Sequence, residues 1–451
     1  MMGLLISSAL LLAVTTNWVL AQEQQQIKCG EGALCPEDLP CCSQYGQCGV
    51  GAYCLGGCDP KYSNSLESCV PAPICESKDY SFTDLDGIVP NTRYLGDASK
   101  ADWVSSGAPL PYDGKLLLTM AEGSVGTLLA STHYLWYGKV SAKLKTSAGK
   151  GVVTAFILLS DVKDEIDFEF VGTDLETAQS NFYSQGVTNY NNGAKHAGIA
   201  NTLNTEHEYE IDWTPDHITW SIDGKQVRTK QKSDTWNATS NRYDYPQTPA
   251  RVQLSLWPAG LPTNGEGTIS WGGGLVDWNS KYVTNGYYYA TFSEVKMQCY
   301  NPPSGAKVQG SVSYTYDNVA ATNDTVVTGN KPTVLKSLLG SGTNMTADYP
   351  SAAASASASA QTSEVATVPG LTGAGPGTNG QRGDIQSGGS SSESDSGDSS
   401  NTDSSTSAAT GFVQGGGSNG SGNGAAVQRP EGILQGSLFA VVVAVIGLLA
   451  M

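Results

Sequence analysis

Basic charge is scarce in this chain. Its 451 residues carry 25 lysines and arginines against 42 acids, a net charge of −17. Nucleic-acid affinity rests on basic contacts to phosphate, so that partner class is excluded. The acidic balance serves solubility, and a neutral polysaccharide partner asks for no basic surface. Histidine is nearly missing as well. The four present, His133, His196, His207 and His217, show no ligand spacing such as two on one helix turn. No cofactor and no catalytic metal are expected. Helical periodicity is sparse, which turns the fold class away from α and towards β. Apart from low-complexity runs there is no internal repeat. The apolar tail over residues 436–451 falls short of the roughly 20 residues of a membrane span and has no basic stop-transfer flank.

What is present begins at the two ends. An apolar run over residues 4–14, followed by Val19, Leu20 and Ala21, reads as a secretory leader (1–21), although it lacks a lysine-rich start. At the other end, the small residues at 422–425 are followed by a polar spacer through Gln435 and then the apolar tail. That order predicts a GPI-attachment signal, with Asn423 or Gly424 as the anchor site and 424–451 removed. A plain C-terminal membrane helix is the alternative. Secretion is consistent with ten cysteines, nine of them between Cys29 and Cys75 and the tenth at Cys299. It is also consistent with sequons at Asn237, Asn323, Asn344 and Asn419. The expected location is outside the cell, on the outer face of the plasma membrane and in the wall, with membrane contact only through the anchor.

Between the ends three segments separate. Residues 22–75 are cysteine-dense and too few to cohere by a hydrophobic core, so disulfides must hold them. Residues 76–305 contain nearly all the tryptophans and short β-patterned runs, at 137–144, 152–159, 165–170, 208–213, 217–222 and 252–257. Asp223-Gly224 between two of these runs is a hairpin signal. An all-β domain, a jelly-roll sandwich, is the expected class. Residues 306–423 are rich in Ser, Ala, Gly, Thr and Asp, and are expected to form an extended, O-glycosylated stalk.

Residues 29–58, CGEGALCPEDLPCCSQYGQCGVGAYCLGGC, resemble the hevein-type chitin-binding module: paired cysteines, Ser-Gln-aromatic-Gly, then Cys-Gly and Tyr-Cys. The resemblance implies that Ser43, Tyr45 and Tyr53 bind N-acetylglucosamine by a hydrogen bond and ring stacking. Gln47 stands where that family has a further aromatic residue, so one stacking surface is lost. The resemblance also implies the bonds Cys29–Cys42, Cys35–Cys48 and Cys41–Cys54. A bond from Cys75 or a neighbour to Cys299 would tie the ends of the β-domain together. A disulfide knot serving only as a spacer is the rival reading of the module.

Residues 164–170 read DEIDFEF. Side chains alternate faces along a strand, so Glu165, Asp167 and Glu169 share one side while Ile166, Phe168 and Phe170 face a core. Three acids in a row repel and raise one another's pKa, from which folding alone gains nothing. Cleaving a glycosidic bond needs such a set, one carboxylate ionised and another kept protonated nearby. Together with YGKVSAKLKTSAGKGVVTAFILLSD (137–161), this segment resembles glycoside hydrolase family 16, and within it the Crh group of fungal cell-wall transglycosylases. The resemblance spans most of residues 80–300. It implies Glu165 as nucleophile, Glu169 as acid/base and Asp167 as their assistant. It further implies a chitin donor and an acceptor that is β-1,3- or β-1,6-glucan or chitin.

Gln179, Asn181 and Tyr183 alternate in the same way and are expected to line the cleft from a neighbouring strand. Trp257 and Trp271, in segments similar to the family's, are candidates for stacking on donor sugar, with core packing as their rival. Tyr134, Trp136, Trp213 and Trp220 are expected in the core. Three readings follow: a retaining transglycosylase cross-linking wall polymers, an endo-hydrolase of chitin or β-1,3-glucan using the same acids, and a wall-binding protein without turnover.

Overall fold

A computed structural model describes residues 27–124 and 126–349. The expected leader, Asn419, the anchor site at Asn423 and the apolar tail lie outside these residues. The described chain is almost entirely β. Two eight-stranded sheets face each other across a shared core. The inner sheet runs, in order, Ala194–Ala197, Thr177–Tyr183, Glu165–Val171, Val152–Ser160, Ala250–Pro258, Thr127–Leu135, Trp103–Ser106 and Ile88–Pro90. The outer sheet is centred on Gly138–Lys145, flanked by His207–Trp213 and the long strand Tyr287–Cys299. The six β-patterned runs, the acidic one included, all fall on strands, the first beginning one residue later than expected, at Gly138. Asp223 and Gly224, with φ of 50° and 74°, make the turn between His217–Ile222 and Lys225–Gln231. Both central positions of that tight turn require φ above zero, which is why glycine is found there.

Alternation seats the acidic strand. Ile166, Phe168 and Phe170 are buried between the sheets, each stabilising the fold by about 1.5–3 kcal/mol. From the outer sheet Tyr209 packs on both phenylalanines, with ring centroids 5.3 and 4.6 Å away. Trp220 donates its indole N–H to the carbonyl of Asp167 at 3.0 Å. Tyr134, Trp136, Trp213 and Trp220 all lie in this core.

Five disulfides are present: Cys29–Cys42, Cys35–Cys48, Cys41–Cys54, Cys58–Cys69 and Cys75–Cys299. The first four knit the small N-terminal module, whose two-stranded sheet pairs Cys41–Cys42 with Cys48–Gly49.

Residues 306–349 depart from the expected stalk, because they are folded. The strand Ser313–Tyr316 pairs with Val326–Gly329 on one side and with Ala72–Pro73 on the other. Tyr314 and Val326 complete the main core, and Leu335 is buried with Tyr53, Leu55 and Val70 of the module. The segment has too few apolar residues for a core of its own, so it orders by filling crevices that the other two parts leave. The stalk expectation then rests on 350–423, outside the described residues.

Candidate active site

Register places the acids. Reading across the inner sheet, Tyr183, Glu165, Leu159 and Arg251 form one row, and Asn181, Asp167, Ile157 and Gln253 the next. A third row holds Gln179, Glu169, Ala155 and Ser255, and Trp257 follows opposite Val153. On this face, turned away from the core, Glu165, Glu169, Gln253, Ser255 and Trp257 line a cavity of about 550 Å³ that reaches to the cysteine module, while Gln179, Asn181 and Tyr183 lie beyond its lining.

Burial sets the electrostatics. It raises the pKa of all three acids by penalising their charged forms. At Asp167 the rise is opposed by the Arg228 guanidinium and by the Asn181 N–H. Arg228 approaches from the core side, stacked over Trp220 at 4.5 Å and donating to the Ser180 carbonyl at 2.9 Å. Glu169 has no such relief, and the charges of Asp167 and Glu165 push its carboxyl up further. Three adjacent carboxyls that cannot all ionise together form the kind of set from which acid/base chemistry draws one proton donor and one carboxylate.

The neighbouring strand supplies polar groups at matching height. Asn181 donates its side-chain amide to the Tyr183 hydroxyl at 2.7 Å, and Gln179 accepts the Trp271 indole N–H at 3.0 Å. Trp271, on the short helix Glu266–Trp271, stacks on Trp257 with centroids 6.0 Å apart. The two tryptophans and Gln179 thus gather at the Glu169 end of the row. Gln253 is a floor residue the sequence reading passed over. Its Oε1, like Oδ1 of Asp167, is buried with no hydrogen-bond partner, and both belong to the same row. The alternation Gln253, Ser255, Trp257 in the run 252–257 carried the signal.

The module's expected sugar contacts need correction. Ser43, Tyr45 and Tyr53 are buried, at 8 %, 8 % and 4 % exposure, so they offer no open stacking surface. Tyr45 edges the cavity with its hydroxyl held by Gln44. Tyr53 packs against Gly49 under the 335–345 segment. Gln47 is buried too, with its Oε1 unpartnered. Of the described sequons, Asn344 is exposed and Asn323 half-buried. Asn237 is half-buried and donates to Asp244 at 2.8 Å. The one cluster of metal-ligating side chains among the described residues is Cys29, Cys35 and Cys42, and disulfides consume all three.

Residues 97–273 match the family described as glycosyl hydrolases family 16. The chain is 60% identical over 320 residues to Crh-like protein 3 of Botryotinia fuckeliana, covering 71% of this chain and 72% of that protein. It is 51% identical over 453 residues to Crh-like protein 2 of Aspergillus fumigatus, covering 99% of each. Among solved structures it is similar to one described as Crh5 transglycosylase in complex with NAG, at 30% identity and a TM-score of 0.48. That match covers 59% of this chain and 98% of the other.

Proposed function

We propose that this chain, which belongs to the Crh-like proteins of glycosyl hydrolases family 16, is a retaining transglycosylase that cleaves chitin and joins it to β-glucan or chitin in the fungal cell wall. The observation that carries the reading is the acidic strand, with Glu165 and Glu169 half-buried on the floor of one groove, Asp167 buried between them, and all three carboxyls pushed up.

In this reading an ionised Glu165 oxygen attacks the anomeric carbon of the donor. The bond to the leaving oxygen breaks as Glu169 gives that oxygen its proton. Glu169, now a carboxylate, takes the proton of an acceptor hydroxyl. The acceptor oxygen bonds to the anomeric carbon, and Glu165 leaves as carboxylate. Two inversions give net retention. Asp167 sits between the glutamates, and its charge pushes both of their carboxyls up. Gln179, Asn181, Tyr183, Trp257 and Trp271 are assigned to sugar binding along the groove. Family membership supports a sugar hydroxyl over water as acceptor. The leader, the anchor at Asn423 and glycosylation at the four sequons belong to the same reading of a wall enzyme tethered to the membrane outer face.

The test mixes the secreted chain with chitin oligomers and fluorescently labelled β-1,3-glucan oligomers. Labelled products lengthened by N-acetylglucosamine units are expected. Shortened chitin oligomers alone would make the protein a hydrolase, and no product would leave a wall-binding protein. Glu165→Gln and Glu169→Gln should each lower turnover by roughly 10²- to 10⁴-fold with unchanged circular dichroism. Wild-type turnover in either variant would sink the assignment.

A further inference from the structure

The groove has a wall that belongs to the cysteine module. Tyr62 is half-buried there, its ring packed on the cystine cluster and its carbonyl accepting the Cys35 N–H at 3.0 Å, so the ring is fixed in place. Lys61 lies over that ring, 5.6 Å from its centroid, and donates to Gln185 Oε1 at 3.1 Å. Arg242 donates to the same oxygen at 2.8 Å from the far side. Gln185 is itself held, by its N–H to Asp164 at 2.9 Å and by its amide to the carbonyls of Ala320 and Ala321. Four residues from three parts of the chain therefore meet at one edge of the cavity that contains Glu165 and Glu169.

This wall does not swing on a tether. The Gly57 N–H donates to Asp161 at 2.8 Å and to the Tyr134 hydroxyl at 3.2 Å, both of the sandwich. On the opposite side of the module, the Gly51 N–H donates to the Gly340 carbonyl at 2.7 Å, and the Gly342 N–H to that of Ser68 at 2.8 Å. Of the module's two aromatic side chains that line the groove, Tyr45 is buried and Tyr62 is the more exposed.

We propose that Tyr62, Lys61, Gln185 and Arg242 form a sugar subsite of the catalytic groove, so that the module extends the enzyme's grip on one β-linked polysaccharide chain and does not hold a separate strand. The ring offers an apolar surface to a pyranose face, and the lysine and arginine offer N–H donors to its hydroxyls, the usual make-up of a ligand pocket. The inference rests on the glycan-processing reading above.

The test is a calorimetric titration of the full secreted chain, carrying Glu165→Gln to stop turnover, with short and long chitin oligomers. Adding Tyr62→Ala or Lys61→Ala should weaken binding of the long oligomer about three- to tenfold and leave the short one unchanged. Equal weakening at both lengths, or none at either, overturns the subsite. Lys61 contributes little to packing, so its variant decides the matter if Tyr62→Ala fails to fold. The two readings fail separately. Loss of the transfer product in the otherwise wild-type chain overturns transglycosylation, whereas a long oligomer bound equally by all three proteins overturns the subsite alone.

Discussion

In the cysteine module four disulfides close loops whose ends lie 11 to 13 residues apart, and the apolar clusters around them are small. The sandwich has one disulfide, between residues 224 apart, and rests on a continuous core of aromatic and branched side chains. Each short cross-link removes unfolded-state freedom worth about 3 kcal/mol in the chain-entropy account. It supplies no hydrophobic face, however, so the module borrows one from residues 333–347 and from the sandwich. The comparison teaches that covalent closure makes a module compact without making it independent.

The comparison can be broken most directly by ending the chain after residue 305. That removes Tyr314, Val326 and Leu335, three buried side chains of about 1.5–3 kcal/mol each. Melting should fall by about 10 °C or more, with the module becoming susceptible to protease before the sandwich. An unshifted melting curve would mean that the module stands alone after all.

A smaller effect is expected at one glycine. Gly51 has a φ of 63°, and a Cβ there would lie 2.1 Å from the Leu338 carbonyl oxygen. Gly51→Ala should free the 335–345 segment and cost about 1–3 kcal/mol, visible as faster amide exchange at Leu335 with transfer activity still measurable. Retained protection at Leu335 would show that the segment is held without that contact.

The smallest effect sharpens the sandwich side. Burial first, then the Asp167 charge, push the Glu165 carboxyl up to about 8 from its ordinary 4.5. The folded protein therefore holds that proton more tightly than the unfolded chain does. Below about pH 4 both states keep it and nothing is lost. As pH rises from there towards 8 the unfolded chain releases its proton first, and stability falls. Glu165→Gln cannot ionise, so its melting temperature should exceed that of wild type by a few degrees near pH 8 and by almost nothing near pH 4. A gap that is the same at both pH values would show that Glu165 is not a strained acid.

The sandwich was readable from sequence because its signal is local. Alternation at 165–170 states which side chains face the core, and the runs at 152–159 and 252–257 state which strands lie beside it. Arg228 was not readable. It acts on Asp167 from a strand some 60 positions later, and only the closed sandwich brings the two near. The module's cysteine spacing was equally plain, but burial of Tyr45 and Tyr53 depends on what covers them, and the 335–345 segment that covers Tyr53 has the composition of a linker. The buried apolar residues of 306–349, Tyr314, Ala321, Val326 and Leu335, are spaced too irregularly to show a period of any kind. A segment that orders on surfaces made by others leaves little trace in its own sequence.

The Cys75–Cys299 bond has a mechanical meaning. Tension applied from beyond residue 349 would first peel the 335–345 segment from the module, then the strands around Tyr314 and Val326, and then reach Cys299 at the end of the last sandwich strand. From there the covalent path jumps to Cys75 and on into the module, by-passing residues 76–298 and every residue of the acidic strand. A pull on the tail would strain the junction between module and sandwich while the catalytic sheet remained unloaded.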